Sequence, residues 1–79
     1  MRLIKLHFAG DDNVEIYINP DKIITVQHIL WISSQKDRTG EYPRDEYTVV
    51  KLDTNGGKPM EIDVKEFPED INKLIENIK

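Results

Sequence analysis

Three features of this 79-residue sequence predict an α+β fold, an antiparallel β-meander of about five strands with one C-terminal helix packed on one face. Most of the chain alternates apolar and polar residues with the period of two expected of half-buried strands. Clusters of turn-forming residues separate these runs, and the period changes to that of a helix only after Phe67. One domain, residues 1–79, accommodates everything, because a chain this short has material for a single modest core.

The first strand is read over Arg2–Phe8, where Ile4, Leu6 and Phe8 alternate with Lys5 and His7. Ala9-Gly10-Asp11-Asp12-Asn13 is rich in turn formers, and Val14, Ile16 and Ile18 then alternate with Glu15 and Tyr17 to give a second strand over Val14–Ile18. These two form a hairpin. Asn19-Pro20-Asp21-Lys22 ends the second strand, since proline fixes its φ and supplies no amide hydrogen. A long third strand follows over Ile23–Ser33. Its pattern is broken: Ile24 and Val26 fall on one face and Ile23, Ile29 and Trp31 on the other, so a bulge near His28 or burial of both faces is required.

Ser34–Glu46 is polar, contains Gly40 and Pro43, and exceeds the usual hairpin length, which predicts an exposed, mobile loop. The fourth strand, Tyr47–Asp53, places Thr48, Val50 and Leu52 on one face and Tyr47 and Val49 on the other. Asn55-Gly56 is the strongest hairpin signal present, because both residues tolerate positive φ. It leads into a fifth strand over Pro59–Lys65, in which Met60, Ile62 and Val64 alternate with Glu61 and Asp63.

Ile71, Leu74, Ile75 and Ile78, spaced i, i+3, i+4, i+7, form the apolar stripe of a helix over Pro68–Lys79. Pro68 suits the first helical position, Glu69 and Asp70 the positive end of the helix dipole and Lys79 its negative end. Glu69 and Lys73 are spaced to pair, while Phe67, at the cap position, offers no oxygen to a helix amide. The stripe is the natural cover for Ile4, Leu6, Val14, Ile16, Val50, Leu52, Ile62 and Val64.

Composition narrows the function. With no cysteine the chain has neither disulfides nor thiolate metal ligands, and the N-terminal segment from Met1 lacks the apolar run of a signal peptide or membrane span. A cytoplasmic location without membrane attachment is expected. The net charge of −4 disfavours nucleic acid as a partner, since it repels polyanions. Only Lys36, Arg38 and Arg44 form a basic cluster.

No catalytic, cofactor-binding or metal site is expected. His7 and His28 show no ligand spacing, and His7 belongs on the solvent face of its strand. The acidic pairs Asp11-Asp12, Asp45-Glu46 and Glu69-Asp70 lie in turns or at a helix start, without a cleft to separate their pKa values. Asp11-Asp12-Asn13 lacks the alternating ligands, glycine and closing glutamate of a calcium loop, and Asn55-Gly56-Gly57-Lys58 lacks the spacing and helix of a phosphate loop. The chain is therefore expected not to be an enzyme.

The remaining candidates are aromatic. A sheet covered by one helix keeps a second face, and Tyr17, Ile29, Trp31, Tyr42 and Tyr47 are assigned there or to the adjoining loop as a protein-interaction surface. The expected partner is another protein or a second copy of the chain, in a bacterial or phage context. The alternative is a single-stranded nucleic-acid-binding domain, with the same aromatics stacking on bases.

The run Glu15-Ile16-Tyr17-Ile18-Asn19-Pro20-Asp21-Lys22-Ile23-Ile24 resembles the small flagellum-associated proteins of the FlbD/SwrD type. Those proteins have a strand, an Ile-Asn-Pro-Asp-like turn, a second strand, a hairpin and a terminal helix. The resemblance extends over Val49–Val64 and Ile71–Ile78, with Ser34–Glu46 as an insertion. It implies an accessory role in the flagellum and carries over no catalytic residue.

Overall fold

The computed structural model describes residues 2–11 and 13–78. Met1, Asp12 and Lys79, assigned above to the N-terminal segment, the first turn and the helix end, lie outside the described residues. The fold is α+β: strands β1 (Ile4–His7), β2 (Glu15–Ile18), β3 (Ile23–Ile32), β4 (Arg44–Leu52) and β5 (Met60–Val64), then helix α1 (Pro68–Asn77).

All pairings are antiparallel, and the strands form two sheets, β1-β2 and β3-β4-β5. Among the described residues the two sheets are joined by the bridge Phe8 to Val64, flanked by Ala9 N–H to Asp63 O and Lys65 N–H to His7 O. The five strands thus lie in the order β3-β4-β5-β1-β2, so the first strand docks beside the last. Alternation alone reveals which face a residue takes and not which strand lies beside it.

The core is Ile4, Leu6, Ile18, Val50, Leu52, Val64 and Ile71, with Leu74, Ile75 and Ile78 packed against it. Strands β1, β2, β4 and β5 contribute alternate residues, β3 adds only the partly buried Ile23 and Val26, and the helix contributes the stripe that its spacing defines. Val14, expected in this set, is instead exposed at the end of the first turn, where its N–H bonds to Asp11 O. Helix α1 begins without a side-chain cap, as the phenyl group of Phe67 dictates. Among the described residues Glu69 and Lys73 form no ion pair, and Asn72 Nδ2 donates to Glu76 Oε1 at i, i+4, 3.3 Å.

Turn chemistry follows the residues. Asn19 caps a short 3-10 turn over Pro20–Lys22 by accepting the Asp21 N–H at 3.0 Å. Asn55 and Gly56 adopt φ of 58° and 101°, as an Asn-Gly turn requires. Lys22 Nζ donates to Asn55 Oδ1 at 2.7 Å, tying these two turns together.

Three further expectations are corrected. The bulge falls at Ile24, between the pairs Ile23–Leu52 and Thr25–Lys51, and not near His28. It expels Ile24 to solvent and keeps both Ile23 and Val26 on the core side. The region expected to be a mobile loop over Ser34–Glu46 is shorter and hydrogen-bonded: β4 starts at Arg44, and Ser33 N–H bonds to Pro43 O at 2.7 Å. Arg44, Asp45 and Glu46 read as loop because they are charged, yet a backbone ladder needs no apolar side chain.

The third correction concerns His7, which is half-buried rather than on the solvent face. Its Nδ1 lies 2.6 Å from Glu66 Oε2, while Glu66 Oε1 accepts the His7 backbone N–H at 2.8 Å.

Candidate interaction surface

Strand β5 pairs with β4 only from Thr48 to Leu52, whereas β3 pairs with β4 from Ile23 through Ile32. The segment Ile29–Ile32 with Arg44–Tyr47 is therefore a two-stranded stalk, extending past the third strand. It helps make the molecule elongated, 49 × 28 × 21 Å, with a radius of gyration of 14.9 Å. A chain of this length packed as a typical domain has a radius of roughly 12 Å.

Register assigns the faces. Thr48, Val50 and Leu52 point to the core, so their partners' row on β3 runs Val26, His28, Leu30, Ile32. The opposite row is Thr25, Gln27, Ile29, Trp31, across from Lys51, Val49, Tyr47 and Asp45. On the first row the core cover ends at His28, whose ring meets Phe67 edge to face at 5.6 Å between centroids. Beyond it, Leu30 and Ile32 are 49% and 56% exposed; on the other face Trp31 is 56% exposed. Ile29 and Tyr47 at the base of the stalk are half-buried, and beyond them the stalk is exposed on both sides, through Leu30 and Ile32 on one and Trp31 on the other.

Charged residues brace it. Glu46 Oε1 lies 2.7 Å from His28 Nε2, and its Oε2 lies 3.6 Å from Arg44 Nη2. At the tip, Asp37 Oδ1 accepts the Thr39 hydroxyl at 2.6 Å, the Thr39 N–H at 2.8 Å and the Glu41 N–H at 3.1 Å. These bonds, the Thr39 hydroxyl first, hold the Asp37 carboxyl below its ordinary pKa. Gly40, with φ of 82°, completes the turn.

The five residues singled out by sequence divide into three groups. Ile29 and Tyr47 are direct cross-strand partners, and Trp31 follows on the same face, so these three are brought together. Tyr42 sits at the tip, exposed, with Lys36 Nζ 5.7 Å from its ring centroid. Tyr17 belongs to the other sheet, opposite Lys5, and its hydroxyl donates to Glu15. It is no part of the stalk. Tyr47 also joins Phe8, Ala9, Gly10, Asp45 and Asp63 around a shallow cleft of about 280 Å³.

Sequence reading missed Leu30 and Ile32. Their signal was present in the uninterrupted run Ile29-Leu30-Trp31-Ile32, which leaves neither face of the strand polar. Among the described residues no cluster of His, Asp and Glu is arranged to hold a metal ion, and no helix is long and apolar enough to cross a membrane.

Comparison with protein-family models, with curated proteins and with solved structures found no match. The surface is therefore read on its own chemistry.

Proposed function

We propose that this chain is a protein-interaction module whose docking element is the β3–β4 stalk, with Ile29, Leu30, Trp31, Ile32 and Tyr47 as its contact residues. The observation that carries the reading is the exposure of apolar side chains on both faces of a two-stranded segment beyond the core. Large apolar residues scattered singly are ordinary on a surface, but a contiguous set marks an interaction site. Tyr42 and the tip turn extend the same surface. The single-stranded nucleic-acid reading gains little here: of the basic cluster, Lys36 is engaged with Tyr42 and Arg44 lies near Glu46.

Photo-crosslinking in native cells tests the proposal. A Trp31→p-benzoylphenylalanine chain should yield protein adducts that a Glu15→p-benzoylphenylalanine control on β2 does not. Equal labelling from both positions, or none from Trp31, would count decisively against the stalk as a docking element.

A further inference from the structure

We infer that the occupant of the stalk is a second copy of this chain, paired edge to edge and antiparallel through β3, so that two three-stranded sheets become one continuous six-stranded sheet. This rests on the stalk being the docking element, and it goes further by naming the partner.

Strand β3 is terminal in its sheet and bonds to β4 along one edge. Among the described residues, no turn or loop backbone hydrogen bond reaches residues 24–32. The other edge therefore offers a row of unpaired amide and carbonyl groups, a template for another strand. Natural edge strands are usually guarded by short length, by proline, by lysine or another charge, or by a bulge. The edge strand β2 is only four residues long and begins with Glu15. The stalk portion of β4 carries Arg44, Asp45 and Glu46. By contrast β3 has ten residues and contains no Pro, Lys, Arg, Asp or Glu. Its one bulge, at Ile24, leaves the pairing regular from Thr25 onward.

Surface area points to a partner of this size. A folded 9.2 kDa monomer is expected to expose about 4,900 Å². This chain exposes 6066 Å². The excess, about 1,100 Å², is comparable to the roughly 800 Å² that each partner contributes to a standard interface.

Symmetry then selects a register. A twofold axis normal to a sheet keeps each side chain on its own face, and directly opposed residues share a face. The residue numbers of opposed pairs must therefore sum to an even number. Centring the axis on Leu30 opposes Leu30 with its copy, Ile29 with Trp31, and His28 with Ile32. Every stalk residue of β3 then meets an apolar or aromatic partner, and no formal carboxylate or ammonium of β3 is brought to the seam.

The purified full chain provides the test. Analytical ultracentrifugation at micromolar to millimolar concentrations should show a reversible dimer. Leu30→Lys should weaken association roughly tenfold or more, because it opposes two ammonium groups on the axis. It moves the net charge from −4 toward neutrality, so general repulsion cannot explain that loss. Because the chain has no cysteine, Leu30→Cys gives one thiol per protomer, and opposed strand residues lie about 4.5–5.5 Å apart between Cα atoms, within disulfide reach. Mild oxidation should convert Leu30→Cys to covalent dimer, whereas Tyr17→Cys should stay monomeric on the same time scale.

A wild-type chain monomeric throughout the range overturns the inference, as does a dimer unaffected by Leu30→Lys or one captured equally by Tyr17→Cys. If monomer is found while Trp31 still crosslinks to a different protein in cells, self-pairing fails and the docking role of the stalk stands. If neither is found, both fail.

Discussion

Glu66 holds His7 at two points, one carboxylate oxygen 2.6 Å from the imidazole Nδ1 and the other accepting the backbone N–H of the same residue at 2.8 Å. The contact joins β1 to the link between β5 and α1, where the two sheets and the helix converge. Burial raises the pKa of Glu66, but the His7 side-chain and backbone hydrogen bonds and the charge interaction outweigh it, and the net direction is downward. A carboxyl whose folded pKa is depressed contributes stability above its unfolded pKa and loses it as pH falls through the folded value. Unfolding free energy should therefore decline on acidification below about pH 4.5, the ordinary value for this group. In Glu66→Gln that acid limb should flatten, at a cost of about 1 kcal/mol near neutrality from the weakened hydrogen bonds. Urea titrations of both chains between pH 3 and 7 decide the matter; parallel curves would remove Glu66 from the account.

Thr48 lies on the core row of β4, fully buried, and its hydroxyl finds no partner among the described residues. A buried unsatisfied hydroxyl retains its desolvation cost with nothing to offset it. Thr48→Val preserves the branched shape that suits a strand and deletes the polar atom. The melting temperature should rise, reflecting a gain of about 1 kcal/mol. Destabilisation by a similar amount would show that the hydroxyl has a partner after all.

Asp37 organises the stalk tip through three hydrogen bonds from Thr39 and Glu41. Removing the carboxylate in Asp37→Ala should accelerate hydrogen exchange at the Thr39 and Glu41 amides. Exchange at Val50 and Val64 should not change, since those residues lie in the core. Because hydrogen bonding depresses the Asp37 pKa, wild-type protection at the tip should survive to more acidic pH than an ordinary aspartate would allow.

Ile71 is the helix residue most deeply embedded in the core. Truncation to alanine should cost about 2–5 kcal/mol, a large share of the ~4–12 kcal/mol available to a domain of this length. Circular dichroism melts of Ile71→Ala should show a lowered transition, or none. A conservative Ile71→Val should cost about 1 kcal/mol, which separates lost packing from a broader failure to fold.

Periodicity made most of the framework legible. The i, i+3, i+4, i+7 spacing located α1 to within its C-terminal end, and the alternating runs located β1, β2, β5 and the core half of β4 because one face of each meets the core, while β3 was read as a strand despite its broken alternation. Asn55-Gly56 named its own turn through backbone stereochemistry. What periodicity could not show was adjacency: nothing in the spacing of Phe8 and Val64 announces that they bridge. Arg44–Glu46 escaped recognition as strand because a two-stranded segment beyond the core imposes no apolar pattern on its charged member. For the interaction surface, Ile29, Trp31 and Tyr47 were visible as apolar residues on a face left over by the core. Leu30 and Ile32 were not, because their row is partly buried at Val26 and becomes exposed from His28 onward.

The bridge between Phe8 and Val64 also imposes an order of events during synthesis. Ribosomes deliver a chain from its N-terminal end at ~5–20 residues per second, so β1 waits several seconds before β5 is made. A hairpin forms in about 1–10 μs, so β1 and β2 can pair and separate very many times in that interval. Throughout it, Ile4, Leu6 and Ile18 lack Val64 and Ile71, two of the residues that enclose them in the core. Closure of this small core is thus a late, nearly simultaneous event, in which the arrival of β5 and the helix behind it gives the earliest strand its permanent neighbours.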